Sequence, residues 1–158
     1  MKGHVLIGLL LVISSLAIPC LASEDSNDNH LMVVNPYVRA LLPGQDRTAA
    51  FLSIHNHGDN DCKLLSADSP IAQRIEFHTH LHKDGMMKMR PVEAVQLAAG
   101  SSITFESGAL HLMLFGVESS LNSLESTQIN IYTDHCGSVS FDAPVTNRVS
   151  KPMQEMHH

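Results

Sequence analysis

The chain has 158 residues, 16 of them acidic against 10 basic, for a net charge of −6 with its 11 histidines neutral. That acidic balance argues against nucleic acid and anionic membrane surfaces as partners. The length suits one domain with an adequate core, and no internal repeat or second block of composition marks another.

In chain order, the first segment reads as an export signal over residues 1–22. Lys2 is its single charge before an apolar run from Val5 to Ile18, and Cys20-Leu21-Ala22 supplies small residues at the usual cleavage positions. The run is short for a membrane span. Cys20 is a candidate for lipid attachment, but Pro19 departs from the small residue that lipoprotein processing prefers. Cleavage after Ala22 is the favoured reading, giving a soluble, exported, periplasmic protein with no stable membrane insertion. Such cleavage removes one basic residue and no acidic one, so the charge becomes −7. Residues 23–30 (SEDSNDNH) are polar, without apolar periodicity, and read as a flexible leader.

From Leu31 to residue 149 the pattern is all-β: short runs separated by Gly, Pro, Asn and Asp. Leu52 and Ile54 alternate with Ser53 and His55. Asn56 to Asp61 (NHGDND) reads as a turn, with a return strand beginning around Leu64-Leu65. Ile75 and Phe77, Ile103 and Phe105, Ile129 and Ile131, and Val139, Phe141, Ala143 and Val145 keep a period of two. No segment carries a long helical period. Many short strands closing on one core predict a sandwich or barrel with Greek-key connections.

The stretch from His78 to Met113 carries the chemistry. It begins HTHLHKDGMMKM and ends HLM, placing His78, ten residues, Met89, twenty-one residues, His111, one residue and Met113. Two imidazoles and two thioethers favour a soft monovalent ion such as Cu(I) over Zn(II), Mg(II) or Ca(II). Asp84-Gly85 is a strong two-residue hairpin signal. A hairpin closing there sets His80 opposite Met89 and His82 opposite Met87, with His78 diagonal to Met89. His78, His80, His82, Met87 and Met89 then share one face. His111 and Met113, two apart, project together.

The spacing resembles that of the periplasmic PCuAC-type copper chaperones: His, ten residues, Met, twenty-one residues, His-x-Met. The surrounding sequence is similar too, at PYVRA (36–40), AAFLSIHNHG (49–58), IEFH (75–78), DGMMKMRPV (84–92) and HLMLFG (111–116). The likeness runs from about Val33 to Val149. It implies a cupredoxin-like fold over residues 31–149, with His78, Met89, His111 and Met113 as copper ligands. Thr79 stands where some members carry a Met after the first histidine. The resemblance also implies a carrier that is not an enzyme and that delivers Cu(I) to a copper-accepting apo-protein. The recipient it implies is a respiratory terminal oxidase subunit or its assembly factor.

Cys62 and Cys136 remain after cleavage. In an oxidising compartment such a pair most often forms a disulfide, the preferred reading; a thiol metal site or a redox couple is the alternative. His55, His57 and His135 read as solvated polar positions, while His80 and His82 extend the His78 face. Residues 150–158 read as a flexible tail in which His157 and His158 suit Cu(II) capture, while Met153 and Met156 suit the ion after reduction to Cu(I). A small copper or zinc enzyme on a β-barrel is the competing function. It lacks support from any HExxH or GxSxG motif. An interaction module with incidental His and Met is the third.

Overall fold

The computed structural model describes residues 30–83 and 85–147, apart from the side chains of His82 and Lys83. The expected export signal, nearly all of the expected leader, and the Met- and His-bearing tail fall outside these residues.

Ten strands follow in order: β1 Leu31–Arg39, β2 Arg47–Asn56, β3 Cys62–Asp68, β4 Arg74–Lys83, β5 Met86–Val92, β6 Val95–Leu97, β7 Ser102–Phe105, β8 His111–Phe115, β9 Ser126–Thr133 and β10 Ser138–Thr146. One 3-10 turn, Ser119–Ser123, is the helical structure among the described residues. The strands join in the order β4-β8-β2-β1-β10-β9-β3, and pairing of β3 with β4 closes this path into a seven-strand barrel. β5, β6 and β7 attach outside the ring, to β4, β3 and β2. The parallel pairing of β1 with β10, between antiparallel neighbours, gives the connectivity its Greek-key character. The expected all-β, cupredoxin-like fold is the one observed.

Period two builds the interior. Ile54, Leu64, Leu97, Phe105, Leu112, Leu114, Ile129 and Ile131 are fully enclosed and form one core. Each such side chain contributes about 1.5–3 kcal/mol through removal from water. Closure of the ring leaves few edges and fixes register, because a one-residue slip would turn every core side chain outward.

One sequence expectation changes. The strand after the NHGDND turn does not return along β2; β3 pairs with β6, β9 and β4. The six-residue turn is long enough to cross the end of the barrel, and Asn56 organises the crossing. Its side-chain amide donates to the Asn60 carbonyl at 2.8 Å, and its oxygen accepts from the Gly58 N–H at 2.9 Å. A disulfide between Cys62 and Cys136 then fastens the start of β3 to the β9–β10 turn.

β1 carries a bulge between Val34 and Tyr37, with Asn35 at φ 50°. Asn tolerates this left-handed conformation better than most residues. The bulge brings Tyr37 opposite Phe51, with ring centroids 5.0 Å apart. Phe51 in turn lies 6.5 Å from the His111 ring, so this irregularity in β1 sets one wall beside the histidines.

Candidate metal centre

Ile75 and Phe77 on β4, and Leu112 and Leu114 on β8, point into the core. Residues between them therefore point outward. That places His78 and His80 of β4 on the outer face of the barrel with His111 and Met113 of β8. β4 and β8 are antiparallel neighbours in which His78 pairs directly with His111 and Glu76 with Met113. The β4–β5 hairpin turns at Gly85, whose φ of +73° is the left-handed conformation such turns require. Its register sets His80 opposite Met89, His82 opposite Met87 and His78 opposite Pro91, as the hairpin reading predicts.

A cavity of about 230 Å³ opens on this face. Met89, His111, Met113 and His80 line it, and His78 does not. Ala49 of β2 pairs with Met113, and the small side chain leaves space that a larger residue would fill. The β1–β2 loop supplies Ala40, Leu42 and Gln45 to the rim. Asn122 holds that loop, accepting from the Leu41 N–H at 2.8 Å and donating to its carbonyl at 3.0 Å. Ser107 and Gly108, ahead of β8, complete the wall.

The imidazoles are prepared as donors. His111, 3% exposed, donates Nδ1–H to the Ala109 carbonyl at 2.9 Å, which leaves the lone pair on Nε2. Burial is the main cause that lowers its pKa, helped by nearby His80, His78 and Arg39 against the opposing Ala109 hydrogen bond. The ring is thereby held in the neutral form that binds metals. His78, 9% exposed, donates Nε2–H to the Glu76 carboxylate at 2.8 Å. Its Nδ1 is buried without a hydrogen-bond partner, and so is Nδ1 of His80. The His78 hydrogen bond in turn holds the Glu76 carboxyl below the usual range, with Arg74 adding to the effect and burial opposing it.

Such orphaned buried nitrogens are costly unless something occupies them. A carboxylate that fixes one ring nitrogen while the other stays available is the usual support for a metal-bound histidine. With two thioethers on the same face, the residues present fit a soft cation.

The sequence-derived quartet thus comes together on adjacent strands, with one distinction. Met89, His111 and Met113 share the cavity, whereas His78 stands beside His111, ring centroids 6.1 Å apart, turned towards Glu76. The sequence reading passed over Glu76, although its place two residues before His78 on one strand face was a usable signal. It also passed over Arg39, Ala49 and Phe51, which only the pairing of β1, β2 and β8 brings to the site. Other histidines lie elsewhere. His55 and His57 stack on each other at 6.0 Å, and His135 sits 3.0 Å from Asp134. One cluster of His, Cys and acidic donor atoms, Asp134-His135-Cys136, occurs among the described residues. Its sulfur is consumed in the disulfide and offers no thiolate.

A family model described as "Putative lipoprotein LpqE-like" matches residues 31–145. The chain belongs to the LpqE-like family. A curated relative, "Putative lipoprotein Lxx21020" of Leifsonia xyli subsp. xyli, is 26% identical over 89 residues. That alignment covers 56% of this chain and 54% of the relative, so the chain spans about half of that protein's length. Among solved structures, the copper-bound PCuAC domain from PmoF2 superposes with a TM-score of 0.62 at 21% identity, covering 73% of this chain and 92% of that one. A solution structure of CuI-DR1885 from Deinococcus radiodurans gives a TM-score of 0.57 at 26% identity over 74% of this chain and 78% of the other. The PCuAC-type resemblance read from the sequence is borne out by these neighbours. Among the described residues no helix is long and apolar enough to cross a membrane.

Proposed function

We propose that this protein is an exported copper carrier that holds Cu(I) through His78, Met89, His111 and Met113 and passes it to an apo-protein. The observation that carries the reading is the meeting of two thioethers with imidazoles, two of them holding a buried unpartnered Nδ1, on one outer face of the barrel. Soft neutral donors of this kind favour Cu(I). Solved neighbours whose names record bound copper, and Cu(I) in one case, support the same ion.

Carriage rather than catalysis follows from what surrounds the donors. Four neutral ligands bring no charge to the ion directly, the Glu76 carboxylate acts only through the His78 ring, and Arg39 and Arg47 also line the cavity. Like charges nearby weaken retention, which suits release. A cavity of about 230 Å³ exceeds the space of one bare ion and leaves room for a donor from the recipient to enter. The recipient in this reading is the copper centre of a respiratory terminal oxidase or its assembly factor, in the periplasm. Relatives named as lipoproteins support export, and mass spectrometry of the secreted chain separates cleavage after Ala22 from lipid attachment at Cys20. The tail, with His157 and His158, would capture Cu(II) as a separate, weaker site.

The test is a Cu(I) titration against a chromogenic competitor. One equivalent should bind with selectivity over Zn(II), and Met89→Leu should weaken it. Tight Zn(II) binding with unaltered Cu(I) affinity in Met89→Leu would overturn the assignment.

A further inference from the structure

We propose that His80 is a further copper ligand, an alternative to His78 that faces the cavity and holds the ion during uptake and release. The inference rests on the Cu(I)-carrier reading and adds a residue outside the His78, Met89, His111, Met113 quartet.

Four observations place His80 in this role. It lines the cavity together with Met89, His111 and Met113. It is the direct cross-strand partner of Met89. Its ring stacks on that of His111 with centroids 5.3 Å apart, closer than the 6.1 Å between His78 and His111. Its Nδ1 is buried and has no hydrogen-bond partner among the protein groups, so a donor atom is held without a protein partner. An unpartnered buried nitrogen beside two thioethers and a second imidazole has a ready use as a ligand.

His78 and His80 occupy successive outward positions of β4, roughly 6–7 Å apart along the backbone. His111 sits between reach of both. An ion held by Met89, His111 and Met113 therefore has two candidate fourth donors. His78 is the buried one, braced by Glu76. His80 is the one on the wall of the open cavity. Exchange of one neutral imidazole for the other leaves the charge of the complex unchanged. It moves the ion between an enclosed position and one that an incoming donor can reach.

The experiment compares full-length protein with His78→Ala, His80→Ala and the double variant by competition against bicinchoninate, and follows the rate of Cu(I) handover to the same chelator. Each single replacement should lower affinity about tenfold, because the other imidazole substitutes. The pair should lose about tenfold more than the product of the singles, a coupling of about 1.4 kcal/mol. His80→Ala should also slow handover, whereas His78→Ala should speed it, because the ion is then left on the cavity wall. His80→Gln keeps a polar side chain of similar reach and should repeat the loss, with melting curves of the metal-free variants confirming that each is folded. A double variant no weaker than His78→Ala, or a His80→Gln protein with parental affinity and handover rate, overturns the role of His80. Failure of the parent itself to bind Cu(I) would instead overturn the carrier reading.

Discussion

Strand β2 runs between two regions that treat buried polar atoms in opposite ways. At its start, Thr48 and Ala49 border the cavity lined by His80, with His78 nearby beside His111, and Nδ1 of both His78 and His80 has no partner. At its end, roughly 23 Å away along the strand, Asn56 is 1% exposed and its polar atoms are engaged. It bonds to Asn60, Gly58 and, at 3.4 Å, the carbonyls of Leu97 and Ala98. Beside it, Asp134 accepts from the Lys63 N–H at 3.0 Å, the main reason its carboxyl lies below the usual range. The Asp61 carboxylate accepts from the Ala99 N–H, and the Cys62–Cys136 bridge closes the pole. A satisfied polar group fixes the fold, whereas an unsatisfied one keeps its valence for a ligand. The contrast separates stability from the proposed function within a single small barrel.

If the two ends are independent, damage to one should leave the other intact. The largest effect belongs to the disulfide, which spans 74 residues of sequence. Replacing both cysteines by serine should lower unfolding free energy by about 4 kcal/mol, seen as a shift in denaturation midpoint. Cu(I) affinity of the fraction that remains folded should not change; a parallel fall would show that the ends are coupled. Next comes Met113→Leu at the cavity. Its volume is nearly conserved, so stability should move by less than about 1.5 kcal/mol. Cu(I) affinity should fall by roughly 100-fold, a loss of a direct ligand being at least that of a supporting group.

Glu76→Gln sharpens the comparison by asking how far the support of His78 matters. An amide oxygen can still accept the Nε2–H but without charge, so affinity should drop by about tenfold with little change in melting. Acid has the smallest effect. The folded His111 titrates below its ordinary value of 6.5 because burial disfavours its charged form. Stability of the metal-free protein is therefore undiminished above that pH. It declines as pH falls through 6.5, where the unfolded chain takes up a proton that the native ring refuses. Melting temperatures of the parent should fall over this window more than those of His111→Gln.

Much of this arrangement was legible in the chain. Alternation in segments such as IEFH and HLMLF named both the core face and the opposite one, and Asp84-Gly85 set the β4–β5 register to the residue. What the sequence could not show is pairing between distant strands, since a period of two says which face a residue takes but not which strand lies beside it. The path of β3 to β9 and the arrival of Arg39, Ala49 and Phe51 at the cavity both depend on that long-range choice. For the same reason the sequence put His80 on the His78 face without showing that it, and not His78, lines the cavity. Their difference, one enclosed beside Glu76 and one on the cavity wall, arises from what β8 and β2 place against them.

Because the proposed donors stand on the outside of the ring, at positions alternating with core residues, the barrel could change its metal preference without redesigning its interior. Residues 78, 80, 89, 111 and 113 can be rewritten while Phe77, Leu112 and Leu114 keep the strands in register. Selection acting on metal preference and selection acting on foldability thus address separate sets of side chains. That separation makes the scaffold a tractable chassis for engineered metal sites, in which a thioether could be exchanged for an imidazole or carboxylate with the shell left as it is.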